Sequence, residues 1–187
     1  EISSAAVLLV QLESPLETVR AAVNKAHGNG AIVILNPAPA QPLERNLLQE
    51  IDIITPNTVE AEMITGIKVT DDESLRSITR KFNECGVKNV LITLGSKGIF
   101  AGLHHSMELI PAYKVRPIDS TVAGDVFSGS LAAFLSEGMP VEKAAKMAIA
   151  SASISVTRMG AQNSVPRRME IENFIESFAT SEAEASK

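Results

Sequence analysis

Short apolar runs rich in β-branched residues alternate along this chain with longer segments of helical period, and that alternation restricts the fold more than any other feature. The runs are residues 6–10 within "AAVLLV", "AIVILN" at 31–36, "IDIIT" at 51–55 and "NVLITL" at 89–94. Each reads as a buried strand, and the helical segments between them are the crossovers that parallel strands require. The pattern predicts an α/β fold in three layers, α/β/α, around a mainly parallel central sheet.

Local signals place the helices. Ser14, Pro15 and Glu17 predict an N-cap, a first-turn proline and a capping-box glutamate for a helix that stops near Gly28. "NTVEAEMIT" predicts a helix ending at Gly66, and Thr70 with Glu73 predicts a second capping box for a helix that closes at Gly86. "GSKG" leads into "IFAGL", and the short turn "HHS" followed by "MELIPAYKV" predicts antiparallel strands at one edge of the sheet. A further helix begins within "TVAGDVF" and ends at Gly138; Pro140 starts a long Ala-rich one that runs to about Val156. The polar "SEAEASK" at the end is expected to fray.

Composition excludes several classes of function. The chain has 187 residues, 45% hydrophobic, which fits one globular domain with a core. Its formal net charge of −5 argues against a surface that gathers nucleic acid or anionic lipid by bulk charge, so any bound anion must meet a local site. No apolar run reaches the length of a membrane span, and the first residues lack a basic signal-peptide region. The lone Cys85 allows no internal disulfide, suits a reducing cytoplasmic setting, and beside Gly86 reads as a helix-end packing residue. His27, His104 and His105 have no metal-ligand spacing around them, and Arg167 and Arg168 after Pro166 read as solvated.

Three polar segments fall at the carboxyl ends of strands, where open α/β sheets bind ligands. In "STVAGDVFSG", Gly124 allows a sharp turn and close approach of a ligand, and the free amides of a first helical turn point at whatever sits there. Asp125 in that turn is favoured as the anion and placed to accept a proton; the same residue also serves as a plain first-turn acid. Asn57 and Glu60 sit three apart after the third strand, where the pair can meet a phosphate and a hydrated magnesium ion or form an ordinary capping box. The glycines and Ser96 of "TLGSKG", with Lys97, can follow a polyphosphate or make a simple hairpin turn.

In this order the segments "LLVQLESPLETV", "LNPAPA", "DIITPNTVEAEMITGI", "VLITLGSKG", "STVAGDVFSG" and "SISVTRMGAQNSVP" resemble the ribokinase-like carbohydrate kinases over nearly the whole chain. The resemblance implies transfer of the γ-phosphoryl group of ATP to a sugar hydroxyl, ribose giving ribose 5-phosphate, with magnesium and an activating potassium ion. It makes Asp125 the base and the amides of Val122, Ala123, Gly124 and Asp125 an anion hole. Asn57 is similar to the family's phosphate-contacting asparagine and Glu60 to its magnesium-linked glutamate. Thr93, Leu94, Gly95, Ser96, Lys97 and Gly98 resemble the nucleotide loop, Ile149 takes an apolar place near adenine, and Glu13 resembles a ribose-site glutamate. For the potassium ion the similar positions are Asp119, Thr121, Ser155, Arg158, Gly160 and Ser164, mostly through backbone carbonyls.

Two departures stand out. Val122 replaces the glycine or alanine of relatives, and its branched side chain narrows the backbone choices of the anion-hole turn, so turnover is expected to suffer. The resemblance begins in mid-domain, so residues 1–178 are expected to be the carboxyl-terminal part of a nucleotide-binding kinase domain, with 179–187 a polar tail. The family's amino-terminal strands and its lid, through which relatives form homodimers, are missing from the match. Three readings remain open: a cytoplasmic ribose kinase, a nucleotide-binding fragment without turnover, and a related sugar or nucleoside kinase. All take small molecules rather than nucleic acid or membrane.

Overall fold

The computed structural model describes residues 2–103 and 106–185, with side chains through 180. A single sheet runs in the order β1 (Val7–Val10), β2 (Ile32–Leu35), β3 (Ile53–Ile54), β4 (Asn89–Thr93), β5 (Ile99–Leu103) and β6 (Ser106–Ile110). The first four strands are parallel, whereas β5 and β6 each pair antiparallel with the strand before. The mainly parallel sheet with an antiparallel edge is thus the one expected from the apolar runs. His104 and His105, at the β5–β6 connection, lie outside the described residues.

Neighbouring residues on the strands bury into opposite layers, which explains why the runs are apolar throughout. Val33, Leu35, Ile54, Val90 and Ile92 pack with α1 (Leu16–His27), α2 (Arg45–Leu48), α3 (Thr58–Thr65) and α4 (Asp72–Glu84). Ile34, Ile53 and Leu91 pack on the other face with α5 (Ala123–Ser136), α6 (Val141–Ser155) and α7 (Arg168–Ala185). Among the described residues no helix is long and apolar enough to cross a membrane. Cys85 caps the end of α4 and packs half-buried against the first core.

Two helix ends differ from the sequence expectation. Pro15, not Ser14, occupies the cap of α1, and its carbonyl accepts from the amides of Thr18 and Val19 at 2.8 and 3.1 Å, which leaves Ser14 outside the turn. At α4 the box is formed one residue later, by Asp71 and Ser74 rather than Thr70 and Glu73. The Asp71 carboxylate accepts from the Ser74 amide at 2.8 Å, and the Ser74 hydroxyl accepts from the amides of Thr70 and Asp71 at 3.0 Å each. A short carboxylate at the cap outcompetes the threonine beside it.

The α7 helix continues through the polar residues at the end as far as Ala185. What anchors α7 lies earlier in it. Ile171 is buried in the second core, and Tyr113 stacks edge-on against Phe174 and Phe178, each at 5.0 Å between centroids. Arg168 is exposed, as expected, and also pairs with Glu137 and with Glu172 and lies 5.0 Å over the Phe134 ring, tying α7 to the end of α5.

Candidate active site

A groove of about 1260 Å³ opens along the carboxyl ends of the parallel strands. Its walls come from the segments after β1, β2, β3 and β4, from residues 109–117, and from the N-terminus of α5. Glu13, Asn57, Glu60, Thr93, Leu94, Gly95, Ser96, Lys97, Gly98, Thr121, Ala123, Gly124, Asp125 and Ile149 all line it. Residues scattered from 13 to 149 therefore share one cleft, as their strand-end positions predict.

The N-terminus of α5 is open. Val122 stands at the cap position with φ −104° and ψ 10°, and no side chain closes the turn. Its carbonyl accepts from the Val126 amide at 2.9 Å, and the Ala123 amide donates to the Ser120 carbonyl at 3.2 Å. Among the described residues no acceptor meets the amides of Gly124 and Asp125. A Cβ at Gly124 would meet no protein atom within 4 Å, so its bare backbone faces the groove. Two unpaired amides and a positive helix end form an anion cradle there.

Asp125 is exposed within the cradle, and one carboxylate oxygen accepts from Gln11 Nε2 at 3.0 Å. Gln11 directly follows β1, 114 positions away in the chain. This partner escaped the sequence reading, although the period-2 pattern of the strand carried the signal: Gln11 shares the face of Val7 and Leu9, the face that packs against α5. Below it, Thr55 Oγ1 and Ser128 Oγ lie 3.1 Å apart and fully buried, fixing α5 on the end of β3.

Across the groove, α3 begins with a closed cap. The Asn57 side chain accepts from the Glu60 amide at 2.9 Å, and the Glu60 carboxylate accepts from the Asn57 amide and from its Nδ2, each at 2.8 Å. The capping-box reading of this pair is realised, and both side chains also line the groove. "GSKG" becomes one tight turn between β4 and β5, closed by the Leu94 amide on the Gly98 carbonyl at 2.8 Å. Gly98 has φ +103°, and a Cβ there would meet the Ile110 carbonyl oxygen at 2.1 Å, so only glycine fits.

Asp119 sits behind the cradle and does not line the groove. One carboxylate oxygen accepts from the Thr121 amide at 3.0 Å and its hydroxyl at 2.6 Å, and the other from the Gly160 amide at 3.3 Å. These bonds, the Thr121 hydroxyl foremost, hold the carboxyl below its usual range. The amides of Ile118 and Asp119 also donate to the Val156 carbonyl, at 2.6 and 3.1 Å. Asp119 thus clasps the loop before α5 to the segment after α6. Ser155 ends α6, and Arg158 and Ser164 belong to the segment after it: the Ser155 carbonyl accepts from the Arg158 amide at 3.0 Å, and the buried Ser164 hydroxyl donates to the Ala161 carbonyl at 2.7 Å. Arg158 turns its guanidinium to Glu170 of α7.

The fold is an α/β sheet with a groove at the carboxyl edge of its parallel strands, between an open helix end and a polar loop. Residues 1–168 match the pfkB family of carbohydrate kinases, and the chain belongs to that family. It is 44% identical over 176 residues to a ribokinase of Haemophilus influenzae, and 33% identical over 183 residues to a deoxyribokinase of Salmonella typhimurium. Those matches take in 94% and 97% of this chain but 58% and 59% of the relatives. The structure of an Arabidopsis thaliana ribokinase complexed with ribose and ATP superposes with a TM-score of 0.88 at 30% identity, over 92% of this chain and 56% of that one. The chain therefore spans less than two thirds of the length of the relatives it matches.

Proposed function

We propose that this chain carries the nucleotide-binding and phosphoryl-transfer half of an ATP-dependent sugar kinase whose acceptor is ribose. The observation that carries the reading is Asp125, held by Gln11 at the open N-terminus of α5 in a groove at the strand ends. Phosphoryl transfer asks the protein chiefly to position reactants and to offset charge on the group in flight. Asp125 accepts the proton of the sugar hydroxyl as that oxygen forms its bond to the γ-phosphorus; the bond from phosphorus to the bridging oxygen breaks, and ADP leaves with the electron pair. The amides of Gly124 and Asp125 face the transferring oxygens.

Gln11 orients the base by occupying one of its oxygens, leaving the other for the acceptor. Asn57 and Glu60 fit a site for magnesium and phosphate, since a carboxylate with a neighbouring carboxamide offers the oxygen donors that this hard cation takes, directly or through water. Bound magnesium supplies charge neutralisation on the phosphates. The segments around Asp119, Ser155, Gly160 and Ser164 offer an oxygen-rich setting suited to potassium, placed to stiffen the cradle rather than to touch the reacting atoms. Glu13 is proposed to meet the sugar, and Ile149 the base of the nucleotide.

A second reading, nucleotide binding without turnover, is favoured by the coverage of the relatives, because about two fifths of their length has no counterpart here. Titration of Mg-ATP with potassium into this chain, with ribose-dependent ADP release followed in parallel for Asp125→Ala and Asn57→Ala, separates the two. Ribose-dependent release that Asp125→Ala abolishes establishes the kinase. ATP binding that Asn57→Ala removes, with no release from any sample, establishes the binding module.

A further inference from the structure

Three strands end in a row of polar side chains. Val10 pairs with Leu35 and Leu35 with Ile54, and the ladder goes one step further, with the Asn36 amide on the Val10 carbonyl and the Thr55 amide on the Leu35 carbonyl, both at 2.9 Å. Gln11, Asn36 and Thr55 therefore stand side by side. Residues abreast in a parallel sheet point to the same face. Here that is the α5 face, because Gln11 bonds Asp125 and Thr55 bonds Ser128, one helical turn apart on α5. Asn36 stands between them.

The outer two members of the row are engaged with α5, but the middle one is not. Asn36 is only 7% exposed, yet its carboxamide makes no hydrogen bond to any described residue. A carboxamide sealed away without partners is costly. No described buried side-chain atom lacks a partner, so the atoms of this amide keep an opening, and the surface they open onto is the groove beside Asp125.

We propose that Asn36 is a ligand contact: its Nδ2 donates a hydrogen bond to an oxygen of the terminal phosphoryl group of a nucleoside triphosphate at the point of transfer. The inference rests on the kinase reading above and adds a residue to it. Around Asp125 the accepting role is taken by the carboxylate itself, and an anionic oxygen brought against that carboxylate needs donors. The open amides of Gly124 and Asp125 supply them from α5, and Asn36 supplies one from the sheet side. An uncharged amide does this without adding a competing anion beside Asp125. Held by the ends of β1 and β3 on either side, it needs no reorganisation to act.

The test compares two nucleotides on wild type, Asn36→Ala and Asn36→Asp of this chain, by calorimetric titration with magnesium. A non-hydrolysable ATP analogue is expected to lose on the order of tenfold in affinity with Asn36→Ala, the worth of one hydrogen bond to a charged oxygen, and more with Asn36→Asp, whose carboxylate repels it. ADP, which lacks the terminal phosphoryl group, keeps its affinity in both variants. A role in folding alone would weaken the two nucleotides equally, and that result, or no loss for either, overturns the proposal. Loss of ribose affinity with the triphosphate–diphosphate difference intact also overturns it, assigning the amide to the acceptor instead. Wild type that binds neither nucleotide brings down the kinase reading itself; wild type and variants that bind alike bring down only the role of Asn36.

Discussion

Two helix N-termini face each other across the groove, and their ends are built in opposite ways. That of α3 is closed on itself, with Asn57 and Glu60 satisfying each other and the first-turn amides. That of α5 is left open, with an apolar Val122 at the cap and, two positions on, Gly124, whose missing side chain faces empty space. A closed end contributes stability, whereas an open end keeps its partial positive charge for a ligand. The contrast teaches that uncapped helices inside a cleft are where an anion is expected, and that capped ones there must give up internal bonds to bind.

Breaking the open end should have the largest effect. Asp125→Asn keeps the shape of the cradle but removes the base, so ribose-dependent ADP release should fall about 10²- to 10⁴-fold while ATP affinity holds. A coupled assay alongside titration reads both, and equal loss of binding and release would remove Asp125 from the base role. Closing the cap of α3 by contrast serves the fold: Asn57→Ala should lower unfolding free energy by about 1 kcal/mol in urea titration, besides weakening ATP.

Gly124→Ala sharpens the comparison because its two effects have opposite signs. The added methyl meets no protein atom, so the helix should gain roughly 0.5–1 kcal/mol, yet the methyl enters the space proposed for the phosphate and nucleotide affinity should drop. A variant that gains stability and also keeps its affinity would show that no ligand approaches there. The smallest effect belongs to the clasp behind the cradle. Asp119 has its carboxyl held below the usual range, so its contribution is complete above the ordinary carboxylate pKa of about 4 and fades only as pH falls through the depressed value. Acid unfolding curves of wild type and Asp119→Asn should therefore differ above pH 4 and converge below it.

The strands and most helix ends were legible because their causes are local. β-branched runs bury on both faces, Gly66 adopts φ +73° at the end of α3 as a glycine cap predicts, and Asn57 with Glu60 satisfy each other across a single turn. Where two neighbouring residues compete for one cap, as Thr70 and Asp71 do, spacing alone does not choose; the reach of the side chain does. The last helix shows its apolar face locally, with Ile171, Phe174, Ile175 and Phe178 at i, i+3, i+4 and i+7, but not what that face meets. Part of its anchor is Tyr113, far earlier in the chain, and no spacing within 168–185 relates to it.

By itself the sequence determined the layer architecture, the pfkB-type succession of motifs and the strand ends at which polar residues gather, because period and turn chemistry act over a few residues. Only the tertiary structure decided which of those polar residues meet. Gln11 reaches Asp125, Asp119 reaches Gly160, and Asn36 is left between two satisfied neighbours, because strand register and the seating of α5 bring together positions that no local spacing relates.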